Sequence, residues 1–246
     1  GDLGRIGGKG LLSLARKGED DGDGPLHTTS RSNSSHSRVI HDIYASSTNA
    51  ADEIFRYQLS REEQHMRILC AETANEIYVC FHGTENLSDW MQNMNYQLEV
   101  DRKSFFPCRM HDGLLRLFYR TVPWIELAKK AEQTNKRLIL VGHSRGGALA
   151  TMTGAACARL WAGRYDNFQV FSIASPLCGD HNFSRMIEHL DKSKFQNYFF
   201  RRDPIPFLLT SMPSYEPAGE MYMLEMESEA RDLQFTPIER DAFFEM

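Results

Sequence analysis

The stretch LILVGHSRGGALA, Leu138 to Ala150, contains a serine in a setting that could make it a nucleophile. A serine hydroxyl attacks poorly unless a base takes its proton and fixed N–H groups receive the oxyanion that forms. Gly142-His143-Ser144-Arg145-Gly146 fits G-x-S-x-G, follows the apolar run RLILV and opens an Ala-rich, helix-forming run. Strand, sharp turn and helix in that order hold a serine at the tip of the turn. Glycines at 142 and 146 are expected because side chains there would collide with the neighbouring strand and helix. The N-terminus of the following helix would present unpaired N–H groups and the positive end of its dipole to an oxyanion. The alternative is a glycine-rich turn in which Ser144 is a bystander.

Positioning such a serine requires a scaffold, and the apolar pattern supplies one. HMRILCAE and EIYVCFHG, separated by TAN, read as a β-hairpin. RLILV is a buried strand, GGALATMTGAACARLWA a helix, and FQVFSIAS and KFQNYFFR further strands, with MYMLEME as another candidate. A helix is expected over Val39–Leu59, carrying Ile40, Ile43, Tyr44, Ile54 and Phe55, and a longer one over Gly113–Gln133 kinked at Pro123. Apolar strands alternating with helices predict an α/β protein with a mostly parallel central sheet flanked by helices. Residues 1–36, rich in Gly, Ser and charge, read as a flexible arm, and residues 37–246 as the folded domain. The glycines of GRIGGKG follow no apolar strand, which excludes a nucleotide-binding turn.

Composition narrows the function. The chain has 246 residues, 41% hydrophobic and 25% charged, with a formal net charge of −5. Mild acidity excludes a nucleic-acid partner, which needs a clustered basic face. No apolar run approaches the roughly 20 residues that span a bilayer. The five cysteines (Cys70, Cys80, Cys108, Cys157 and Cys178) are odd in number and lack CxxC spacing. Buried thiols are the expectation, with a Cys70–Cys80 bridge as the alternative. With no secretory signal pattern, this favours an intracellular protein. No metal or organic cofactor is expected, since there is no H-E-x-x-H, no paired Cys set and no phosphate loop.

Four segments in order carry a resemblance to the class 3, fungal-type, lipases of the α/β-hydrolase fold. IYVCFHGTENLSDW resembles that family's strand ending in F-R-G-T/S followed by D-W. MHDGLLRLFY resembles its H-x-G-F segment, and GHSRGGALA its G-H-S-L-G-G-A-L-A elbow. IASPLCGDHNF followed by RRDPIPFL resembles its G-S-P-x-x-G-x-x-x-F and D-x-V-P pair. The resemblance implies Ser144 as nucleophile and Asp203 as triad acid, with the backbone N–H groups of Thr84 and Arg145 forming the oxyanion hole. The alternatives are a turn-forming hydroxyl at Thr84 and a surface pairing of Asp203 with Arg201 or Arg202. Leu87, Trp90, Met91, Met94 and Leu98 recur at one helical face, which in this family is the lid over the site. Such a lid implies transient contact with a lipid surface; packing into the core is the other reading of the same face.

The triad also needs an imidazole, which in this fold follows the acid in the chain. None of the nine histidines lies after Asp203, and PIERDAFFEM carries Asp241 or a neighbour where the family pattern D-H-x-x-Y has its histidine. Three readings compete: a histidine beyond Met246 in a longer protein, a substitute such as His82, or a domain that binds without turnover. The expectation is a lipid esterase acting through an acyl-enzyme on Ser144. The competing reading is a catalytically silent lipase-like module acting through protein or membrane contact.

Overall fold

In the computed structural model, the described residues are 53–56, 68–83, 96–103, 105–212, 214–226 and 233–246. They build an eight-stranded sheet from β1 (Glu53–Arg56), β2 (Ile68–Glu72), β3 (Glu76–Phe81), β6 (Arg137–His143), β7 (Phe168–Ile173), β9 (Phe195–Phe200), β11 (Glu220–Met226) and β12 (Leu233–Ile238), neighbours in that order. The five strands from β3 to β11 run parallel, and antiparallel pairs close both edges. A smaller antiparallel sheet joins β4 (Leu98–Val100), β5 (Arg109–His111), β8 (Gly179–Asp180) and β10 (Tyr215–Glu216). The helices are α1 (Asp112–Thr121), α2 (Trp124–Thr134), α3 (Arg145–Trp161), α4 (His181–His189) and α5 (Arg240–Phe244).

Local chemistry explains these elements. The β2–β3 hairpin forms as expected, its turn tied by Thr73 Oγ1, which accepts from the N–H groups of Asn75 and Glu76. β6 is covered on both faces, so it reads as an apolar run rather than an alternation. The small side chains of α3 let that helix lie close to β6 and β7, and Trp161 Nε1 donates to Ala128 O to fasten α3 to α2. The main core gathers Val79, Leu138, Leu140, Leu149, Phe118 and Phe195. A second core gathers Leu177, Phe199, Leu209, Tyr215, Met221, Met223 and Phe243.

Several expectations change. Residues Glu53–Arg56 form an edge strand on β2, not the end of a helix; the rest of Val39–Leu59 lies outside the described residues, as does the arm at 1–36. Pro123 breaks the long helix rather than kinking it. Val122 before it is extended (φ −96°, ψ 117°), the conformation that a following proline imposes, and Pro123 heads α2. Leu98 pairs with His111 in the small sheet, so no helical face extends to it. Cys70 and Cys80 sit on opposite faces of the hairpin, because Cys70 pairs with Val79 and Cys80 with Leu69. That register excludes their bridge, and all five cysteines are free thiols.

Candidate active site

The sheet brings the site together at the carboxyl ends of its parallel strands, where ligands enter open α/β sheets. β6 ends at His143 and α3 begins at Arg145, so Ser144 occupies the turn between them with φ 54° and ψ −128°. A residue with a side chain rarely adopts that conformation. Here it is held from both sides. The Ser144 N–H donates to Ile173 O at 2.8 Å, and its own carbonyl accepts from Gly147 N–H at 2.9 Å. The flanking glycines are obligatory: an added Cβ would fall 2.1 Å from Gly146 O at position 142 and 2.2 Å from Phe81 O at position 146. Ser144 is 3% exposed, and its Oγ makes no hydrogen bond to any described group.

Asp203 lies in the turn after β9, on the same edge of the sheet. Its N–H donates to Phe200 O, and its Oδ1 accepts from Ile205 N–H at 2.9 Å. Ile205 and Leu209 are buried, so the segment after Asp203 is rooted in the protein interior. Arg201 and Arg202, which precede Asp203, are exposed. Thr84 and the face carrying Leu87, Trp90, Met91 and Met94 lie outside the described residues.

The described histidines differ in what holds them. His111 is wholly buried at the N-terminus of α1, where Nδ1 accepts from Leu114 N–H, and the rings of Tyr96 and Tyr215 approach it edge-on. Burial pulls its pKa down to about 4, so it is a neutral structural cap. His181 bonds Glu216 near Arg240, and His189 bonds Arg185 O. The Nδ1 of His82 lies 2.8 Å from Gly83 O, and because a carbonyl only accepts, Nδ1 carries the proton. Arg145 Nη2 donates to the same oxygen at 3.4 Å. The spacing did not reveal this convergence; its one sequence signal is an arginine at the position where the family elbow has leucine. The buried thiols do not compete with Ser144, since burial raises Cys70, Cys80, Cys108 and Cys178 to about 12.

A shallow cleft beside α3 is lined by Thr151, Ser175, Pro176, Asn197 and Pro206. Asn197 spends its polar atoms internally, donating to Ala218 O and Glu220 O and accepting from Ser172 Oγ.

The class 3 lipase family profile matches residues 78–212, a span from β3 through the elbow to the segment after Asp203. The chain belongs to the class 3 lipases. It is 26% identical over 156 residues to the secreted mono- and diacylglycerol lipase 1 of Fusarium solani, a match covering 61% of this chain and 44% of that protein. The chain thus spans less than half the length of this curated relative. Among solved structures, the Rhizomucor miehei lipase in its propeptide complex superposes with a TM-score of 0.63 at 18% identity, over 74% of this chain and 61% of that one. Lipase II of Rhizopus niveus superposes at 0.62 and 20% identity, covering 77% and 72% of the two chains. These likenesses establish the α/β-hydrolase fold.

Proposed function

We propose that this lipase-family chain hydrolyses carboxylic esters of lipids through an acyl-enzyme on Ser144. The observation that carries this reading is the turn itself. A serine is held at φ 54° by two glycines that tolerate no side chain, at the head of a helix whose N–H groups are directed to the strand ends. A bystander serine gives no reason to maintain that backbone. In this reading Ser144 attacks the ester carbonyl, the backbone N–H groups of Arg145 and Thr84 receive the oxyanion, the alcohol leaves with the proton taken from Ser144, and water then releases the acid. Asp203 would orient the imidazole that carries the proton, a group that residues 204–246 do not supply. Mono- and diacylglycerols, the substrates in the name of the Fusarium relative, are the first esters to test.

One observation favours a second reading, a lipase-like module that binds without turnover. Ser144 Oγ has no described imidazole partner, and residues 204–246 contain no histidine. A fluorophosphonate probe and a short-chain nitrophenyl ester, applied to the full chain and to Ser144→Ala, separate the two. Labelling and turnover that vanish in Ser144→Ala support the hydrolase; their absence from both proteins leaves the binding module.

A further inference from the structure

On the flank where α1 and α2 meet the end of α3, aromatic rings and cations share one surface. Phe105 and Trp124 lie 4.5 Å apart, Trp124 stacks on the buried Phe118 at 6.2 Å, and Tyr119 adjoins Phe118 at 5.3 Å. Phe105, Tyr119 and Trp124 are half-buried, and Ile125 beside them is exposed. Lys103 Nζ stands 4.0 Å from the centre of the Tyr119 ring, and the Arg159 guanidinium 5.5 Å from that of Phe105. Among the described residues neither cation forms an ion pair, and Arg159 Nε is buried without a hydrogen bond. The buried Asp101, two residues before Lys103, is already spent on three backbone N–H groups and the Tyr119 hydroxyl. Arg102 and Arg120, neighbours in the chain, are exposed; Glu126 in the first turn of α2 is an exposed opposing charge. A chain of net charge −5 thus carries, on this flank, cations laid over rings and left without carboxylates.

Long cationic side chains keep their stems on apolar surface and their heads towards water, as they do at a lipid boundary. Half-buried Trp and Tyr, each with an apolar body and a polar tip, favour the same boundary. Anionic headgroups supply the charge that the protein leaves unmatched here. We propose that this flank docks the chain on an anionic lipid surface, with Phe105, Tyr119 and Trp124 at headgroup level and Lys103 and Arg159 on the lipid charges. Ser144 caps the start of α3 and Arg159 lies in its last turn, so about 20 Å of helix separates the docked surface from the serine turn. Docking here holds the protein at lipid and leaves Ser144 uncovered. As the device that keeps an esterase beside its substrate it rests on the hydrolase reading of Ser144; the docking itself needs no turnover.

The test floats the full chain with vesicles of phosphatidylcholine, with and without phosphatidylserine. The parent and Ser144→Ala should bind the anionic vesicles alike, bind the neutral ones weakly, and be released by salt. Lys103→Gln combined with Arg159→Gln should lower partitioning about tenfold to thirtyfold, since each cation at such a surface contributes a factor of about five. Should that pair fail to fold, Ile125→Glu sets a repelling charge at an exposed position and is expected to weaken binding severalfold. Brominated phosphatidylcholine in the anionic vesicles should quench Trp124, and Trp124→Phe should remove most of that quenching. No binding, equal binding to both kinds of vesicle, or parent-like binding by the charge variants overturns the proposal. So does quenching that survives Trp124→Phe and vanishes in Trp90→Phe, which gives the lipid contact to the lid candidate. Self-association in sedimentation that the paired variant abolishes, without vesicle binding, gives the flank to a second copy and overturns it too. If the chain binds vesicles but shows no Ser144-dependent turnover, the hydrolase reading fails and the docking stands.

Discussion

Single residues hold the turn and the helix caps around the site. Gly146 has no room to grow, since an added Cβ meets a main-chain oxygen, not a yielding side chain. Gly146→Ala should therefore cost about 1 to 3 kcal/mol or more, read as a fall in the urea midpoint, and shift the serine turn as well. His111 makes a pH prediction. Burial lowers its pKa from 6.5 to about 4, so as the pH falls the unfolded chain binds that proton first. Its contribution is complete above about pH 6.5 and drains away as the pH falls towards 4, by about 2 to 3 kcal/mol between pH 7 and 4.5. His111→Asn keeps an acceptor for the helix cap but does not titrate. Comparing urea midpoints at the two pH values should show a flatter dependence in the variant; equal slopes would remove His111 from the account.

At the scale of elements, short polar ties hold the loops that regular structure leaves out. Asp101, 2% exposed, accepts from the N–H groups of Lys103, Phe105 and Phe106 and from the Tyr119 hydroxyl. One carboxylate thus fixes the turn between β4 and β5 onto α1. Asp101→Ala leaves four donors without it, and should cost at least about 3 kcal/mol by chemical denaturation. The sequence was legible wherever an element had a clear apolar period or run: the hairpin, β6, α3, β7 and β9 all lie where the pattern puts them. It was illegible where elements are too short for a period, as in the strands of two or three residues in the small sheet. β12 escaped for another reason. Pro237 inside LQFTPI argues against a strand, yet β12 is an edge strand, the one place in a sheet that tolerates proline. In the site, the glycine spacing announced the turn at Ser144, but hydrogen-bond convergence on Gly83 O arises from tertiary approach of β3 and β6, which no local pattern encodes.

For the whole molecule, the parallel sheet and the second core divide the work. The sheet places Ser144 and Asp203 on one edge, and the second core anchors the segment after Asp203. That core includes the C-terminal helix: Phe243 is fully buried against Phe199 and Phe207, and Arg240 pairs with Glu216 on β10. Phe243→Ala should cost about 3 to 5 kcal/mol. Because Phe207 lies within the anchored segment, the variant should also lose Ser144-dependent turnover before the sheet melts. Following near-ultraviolet circular dichroism and ester hydrolysis along a urea series would reveal that order, and simultaneous loss would contradict it.

The backbone at Ser144 has one further consequence. The chain there adopts φ 54° and ψ −128°, a conformation that costs a side-chain-bearing residue about 1 to 3 kcal/mol and glycine almost nothing. The residue proposed to do the chemistry is thus a liability to the fold that carries it. Ser144→Gly should melt about 2 to 4 °C higher than the parent, if relief of strain exceeds the extra entropy of the unfolded chain by about 1 kcal/mol. It should at the same time be inert to a fluorophosphonate. Selection for durability alone would discard this serine, so a gain in thermal endurance on its removal would measure what the protein gives up to keep a nucleophile.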